Sequence, residues 1–163
     1  MRFLTAVALF ATASLTQATH FKLKTTGAIN NKAHNNLYVN TYHTGAGFND
    51  AVLVAEESAV PFAHLNETRA SFELGDHEPW DMDIGGDTNY ASWEAVTVNV
   101  GEGSKGFSIN ESGFFVSNIS GFGGWLVCEW FHNGPQLFWI DGDYKYTIPC
   151  SCSKVKLQPI YPS

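Results

Sequence analysis

From residue 19 onward the chain has no stretch of ten or more residues with helical periodicity, while its aromatic and β-branched runs are cut every 8 to 15 residues by Gly, Asn, Asp or Pro. A helix needs an apolar stripe at a spacing of about 3.6 residues, whereas a strand needs only alternation over a short run. The pattern dictates an all-β chain. Strands are expected at 21–24, 37–42, 51–55, 71–74, 95–100, 106–109, 114–117, 125–130, 136–140, 144–148 and 155–159. These eleven short strands suit a single compact β-trefoil-like domain, with a β-sandwich as the alternative. Phe21-Lys22-Leu23, Phe72-Glu73-Leu74 and Phe107-Ser108-Ile109 echo one another, but their unequal spacings of 51 and 35 residues weaken the case for a threefold repeat. Asn133-Gly134-Pro135 and Asp141-Gly142 read as hairpin turns built from residues that tolerate positive φ, which makes 125–148 a three-stranded meander.

Residues 1–18 read as a secretory signal peptide: Arg2, then a short apolar run from Ala6 to Leu15, then Thr16-Gln17-Ala18 before Thr19-His20. The run is too short to span a bilayer, so the expected products are a leader, 1–18, and one extracellular domain, 19–163. That domain of about 145 residues can build its own core. Asn66, Asn110 and Asn118 each begin an Asn-X-Ser/Thr acceptor for N-glycosylation.

With 9 Lys+Arg against 16 Asp+Glu the chain has a net charge of -7, and loss of Arg2 with the leader deepens it. Nucleic acid and anionic membranes are poor partners for such a surface, and no membrane insertion is expected. Three cysteines in an oxidising compartment give one bridge and one spare thiol. A bridge within Cys150-Ser151-Cys152 would be badly strained, so Cys128 is one half. Cys152 is the preferred partner and Cys150 the alternative. Closing a loop of this size stabilises by roughly 3 kcal/mol.

Three of the five tryptophans lie within 125–139. Core packing explains such density most simply, but Trp125 or Trp130 with Trp139 across the hairpin could instead form a platform for a sugar ring, with Glu129, Asp141 or Asp143 accepting its hydroxyls. The segment 76–89 reads as an acidic solvated loop. Asp81, Asp83 and Asp87 match part of a calcium loop, but Gly85 and Ser92 occupy ligand positions, so Ca²⁺ is the one cofactor that remains in view, at an irregular site. His43 and Asp50 flank the glycine-containing segment 43–50, a loop able to position function. The six histidines show no zinc-ligand spacing, and no phosphate loop or nucleophile elbow occurs.

Phe21 to Gly27, Tyr42-His43-Thr44-Gly45-Ala46-Gly47, Gly85 to Trp93, Gly124 to Trp130, Pro135 to Trp139 and Cys152 to Val155 together resemble a family of small secreted proteins of filamentous ascomycete fungi, a domain of unknown function. The resemblance implies secretion, a fungal source and one domain. It implies no catalytic residue, ligand or cofactor. Cys150 is unusual for that family, a further reason to pair Cys128 with Cys152. The expected role is non-enzymatic: a cell-wall or surface module that binds a polysaccharide or glycoprotein. The alternative is an effector-like protein or hydrolase inhibitor whose loops 43–50 and 76–93 meet a secreted protein partner. A carboxylate-dependent hydrolase drawing on Glu94 and Glu129 ranks last.

Overall fold

A computed structural model describes residues 19–75, 77–85, 93–142 and 147–162. Among the described residues thirteen strands form one connected sheet: β1 (Lys22–Thr26), β2 (Tyr38–Gly45), β3 (Phe48–Val54), β4 (Ala63–Asn66), β5 (Arg69–Phe72), β6 (Trp80–Asp83), β7 (Trp93–Ala95), β8 (Thr97–Val100), β9 (Phe107–Ile109), β10 (Phe115–Ser117), β11 (Phe122–Glu129), β12 (Pro135–Asp141) and β13 (Ser153–Ile160). The only helical turns among the described residues are three short 3-10 turns. The chain is all-β, as expected, and folds as one domain.

Six strands close on themselves in the order β3-β2-β1-β13-β11-β12, and the Gln136↔Val52 pairing between β12 and β3 completes the circuit. Closure leaves these strands no free edge in the barrel wall. Strands β8, β6, β5 and β4 run outward from β3 as a wing, β7 lies on β12, and the β9–β10 hairpin joins β13. The far edge of the wing is tied back: Phe21 and Ala63 exchange two backbone hydrogen bonds, of 2.8 and 2.7 Å. Neither the three like units of a trefoil nor the two facing sheets of a sandwich is established by this strand order.

Alternation explains where the core sits. In β13, Ser153, Val155, Leu157 and Pro159 are buried while Lys154, Lys156 and Gln158 face water. The barrel interior joins these to Leu23, Val39, Ala51, Leu53, Trp125, Val127, Leu137 and Trp139. Burying this apolar surface is the main stabilising term. A second cluster of Leu126, Cys128, Phe138, Ile140 and Cys152 covers the outer face of β11 and β12, and Trp93, Trp130 and Ile148 pack against it. Both faces of this hairpin are therefore dry.

Several expected boundaries move. Residues 63–66 and 80–83 are strands rather than connections, and 95–100 is broken at Val96, which donates to Leu137 O at 3.1 Å and accepts from Ala51 N at 3.0 Å. The meander keeps its β11–β12 hairpin, but Thr147 and Ile148 are not strand, and β13 takes the free side of β11. Residues 143–146 lie outside the described residues. Cys128 and Cys152 are bridged, 24 residues apart, and Cys150 is a free, exposed thiol. No helix among the described residues is long and apolar enough to cross a membrane.

Candidate functional site: an aromatic patch around Asp50 and His132

The β2–β3 hairpin carries the site. Its tip is short: β2 runs to Gly45, β3 resumes at Phe48, and Gly47, at φ +77, makes a turn that a side chain would strain. The segment 43–50 is thus a tight hairpin end, which removes one of the two long loops expected to meet a partner. Register places Tyr42 opposite Asp50, and alternation puts Phe48 on the same face.

Asp50 is met by a residue from the turn that enters the neighbouring strand, β12. His132 Nε2 lies 2.9 Å from Asp50 Oδ2, and its ring stacks on Tyr42 with centroids 3.8 Å apart and planes 24° from parallel. The backbone is bent to deliver it. The turn between β11 and β12 places His132 and Asn133 at φ 67 and 54, left-handed values that few residues other than glycine adopt, while Gly134 is extended. The expected Asn-Gly turn therefore takes its positive φ one residue early, at His132. Such local strain persists only where surrounding contacts hold it, and here those contacts are Asp50 and Tyr42.

Three exposed rings belong to these elements: Tyr42, stacked on His132, is 47% exposed, Phe48, on the Asp50 face of β3, 59%, and Phe131, next to His132 in the chain and edge-on to Trp130, 66%. Val100, also exposed, donates its N–H to Gly47 O at 3.0 Å and adds an apolar edge behind the tip. Polar groups flank the rings. Asn49 N donates to Asn99 Oδ1 at 3.3 Å, Asn99 Nδ2 donates to Thr97 Oγ1 at 3.0 Å, and Thr97 pairs with Asp50 across the sheet. Chemically the arrangement offers flat apolar faces beside hydrogen-bond donors and acceptors.

A family model described as a domain of unknown function (DUF7907) matches residues 18–161. The chain belongs to that family. No curated protein and no solved structure matches the chain. The matched span contains all thirteen strands and every residue of the patch.

The tryptophans expected to form a platform are placed elsewhere. Trp125 and Trp139 are core residues, 3% and 6% exposed, because odd positions of β11 and β12 face the barrel interior. Trp125 Nε1 donates to Phe115 O at 2.8 Å, and its ring lies against Phe107 and Phe115. An edge of it floors an open groove of about 260 Å³ lined also by Asn110, Phe114, Phe122 and Lys156. Trp130 belongs to the outer cluster, edge-on to Phe138 and Phe131, each at 5.6 Å. Glu129 meets the buried His34 ring at 3.3 Å, and Asp141 ends β12 opposite Phe122. Asp143 lies outside the described residues. Trp125 and Trp139 thus belong to the barrel core and Trp130 to the cluster on the opposite face of the hairpin. His43 is exposed but sits opposite Asn49, on the other face of the hairpin from Asp50.

The acidic segment is also corrected. Asp81 and Asp83 are strand residues of β6 rather than part of a solvated loop, and protein donors occupy their oxygens. Ser71 Oγ donates to Asp81 at 2.6 Å, Gly103 N to Asp81 at 3.2 Å, and Gly85 N to Asp83 at 3.1 Å. Asp81 can be buried because both its oxygens are satisfied. Asp87 lies outside the described residues. Asn66, Asn110 and Asn118 are all exposed, the position a glycan acceptor needs. Glu94 pairs with Trp139 of β12 and Glu129 with Pro135. Four residues of strand separate these positions by roughly 13 Å, more than the ~5–9.5 Å of a glycosidase carboxyl pair.

Proposed function

We propose that the protein is a secreted, non-catalytic fungal module that binds glycan surfaces, cell-wall polysaccharide or glycoprotein, through Tyr42, Phe48 and Phe131 grouped about the Asp50–His132 pair. One observation carries the reading: aromatic rings left in water beside a structured carboxylate–imidazole pair. A pyranose offers C–H faces for stacking and a ring of hydroxyls for hydrogen bonding, and this patch supplies both kinds of partner. The apolar leader and the three exposed acceptor asparagines support an extracellular setting. The net negative charge leaves neutral polysaccharides and basic surfaces as suitable targets.

The test is retention on insoluble chitin, β-glucan, cellulose and fungal or plant walls. Wild type is expected to be retained on at least one matrix, and folded Phe48→Ala and Tyr42→Ala proteins to be washed off it. Equal retention of wild type and both variants would remove the patch from the reading. No retention on any matrix would sink the glycan reading and point to a protein partner.

A further inference from the structure

We infer that His20, His64 and Glu73 form a binding site for one divalent transition-metal ion of the Zn²⁺ or Cu²⁺ class, apart from the aromatic patch and independent of its function. His64 and Glu73 come from the β4–β5 hairpin and His20 from the chain just before β1, and sheet register gathers them. The Phe21↔Ala63 bridge and the Ala63↔Phe72 pair lie in one row. The residues one step along, His20 and His64, therefore face the same way, opposite in direction to Phe21 and Ala63. Glu73, whose N–H donates to Phe62 O at 2.9 Å, projects from that same face on the neighbouring strand.

The side chains converge as this register requires. One ligand atom from each of the three lies within 4.8 Å of the other two. His20 Nε2 is 2.7 Å from Glu73 Oε1, and the two imidazoles meet edge to face at 5.3 Å and 61°. Bonds of about 2.0–2.1 Å in a tetrahedral shell hold ligands roughly 3.3 Å apart, so closing the triad asks for side-chain movements of about 1 Å. His20 and Glu73 are partly exposed and free to make them.

Two imidazoles and one carboxylate are a donor set for a borderline ion, with a fourth position open to water. Calcium and magnesium prefer oxygen shells, and this site has two nitrogens. His64 is not committed elsewhere through Nδ1, which is buried and bonds to no protein atom among the described residues. The nearest lysine of the same strand, Lys22, is turned aside: its Nζ donates to Glu57 O at 2.8 Å and lies over the Phe62 ring.

Calorimetric titration of the tag-free secreted protein with ZnCl₂ and CuSO₄, beside CaCl₂ and MgCl₂, tests the site. One equivalent of Zn²⁺ or Cu²⁺ per chain is expected, with no heat from Ca²⁺ or Mg²⁺. Losing one of three ligands should weaken binding at least ~10-fold in each of His20→Gln, His64→Gln and Glu73→Gln, and leave it unchanged in His77→Gln. His20 and Glu73 are on the surface, so their variants report even if His64→Gln fails to fold. The ion should also raise the melting temperature of wild type and not of Glu73→Gln. No stoichiometric binding of either ion would reduce the cluster to a His20–Glu73 ion pair and overturn the inference, as would unchanged affinity in Glu73→Gln and His20→Gln.

Discussion

The β11–β12 and β2–β3 hairpins are both rich in aromatic rings, yet one buries its rings and the other displays them. β11–β12 has the barrel core on one side and the Cys128–Cys152 cluster on the other, so Trp125 and Trp139 fall inward and Phe138 and Trp130 pack outward. The β2–β3 hairpin runs past the barrel end. Beyond Asp50 the His132 ring stacks on Tyr42, and Tyr42 and Phe48 remain exposed. Aromatic density along a strand therefore counts the faces that are covered. It is the ring left without a covering layer that points to a ligand.

Stability should separate the two hairpins most sharply. Trp125→Ala or Trp139→Ala is expected to cost about 3–5 kcal/mol, read as a lower urea midpoint. A loss near zero would break the assignment of these rings to the core. Trp139→Phe should cost far less than Trp139→Ala, because the buried indole N–H of Trp139 has no acceptor among the described residues and phenylalanine removes it. Cys152→Ser, which opens the staple behind the same hairpin, is expected to cost roughly 3 kcal/mol by the same measurement. At the other hairpin, Phe48→Ala should change stability by less than ~0.5 kcal/mol while abolishing matrix retention; a large stability loss would make Phe48 a structural ring. The smallest effect is assigned to Asp50→Asn. It removes a surface pair worth about 0–1 kcal/mol, and its signature is a changed His132 ring signal by NMR, with Tyr42 no longer stacked.

The fold was legible where side chains alternate without interruption. β13 and the β11–β12 hairpin were read as strands, but β11 and β12 carry apolar residues on both faces, so the set that turns into the barrel was not legible there. β4 and β6 hid because Ala63-His64-Leu65-Asn66 and Trp80-Asp81-Met82-Asp83 contain residues that strands avoid. Asp81 is admitted to a strand only because Ser71 and Gly103 donate to it, and neither donor is visible from the run itself. For the site, Asp50 was in view and its partner was not. His132 is 82 residues away and arrives through a turn whose left-handed residue is a histidine. The His20–His64–Glu73 cluster has the same cause: its spacing in sequence follows no ligand motif, and register alone assembles it. Cys128 was readable as one half of the disulfide because Cys150 and Cys152 are too close to bridge each other; the choice between those two was only a preference for Cys152, and the structure bears it out.

The barrel is sealed by β1 against β13, in a register that sets Lys22 beside Ile160. Synthesis delivers Lys22 well before Ile160, 138 positions later in the chain (160 minus 22). While residues 153–160 are still unmade, β1 has β2 on one side and bare backbone on the other, and β11 is equally uncovered. Contacts so distant along the chain form slowly, and open strand edges invite pairing with other chains in the meantime. Folding of this barrel is therefore expected to wait for residues 153–160: until they pair, β1 and β11 keep open edges that another chain can match.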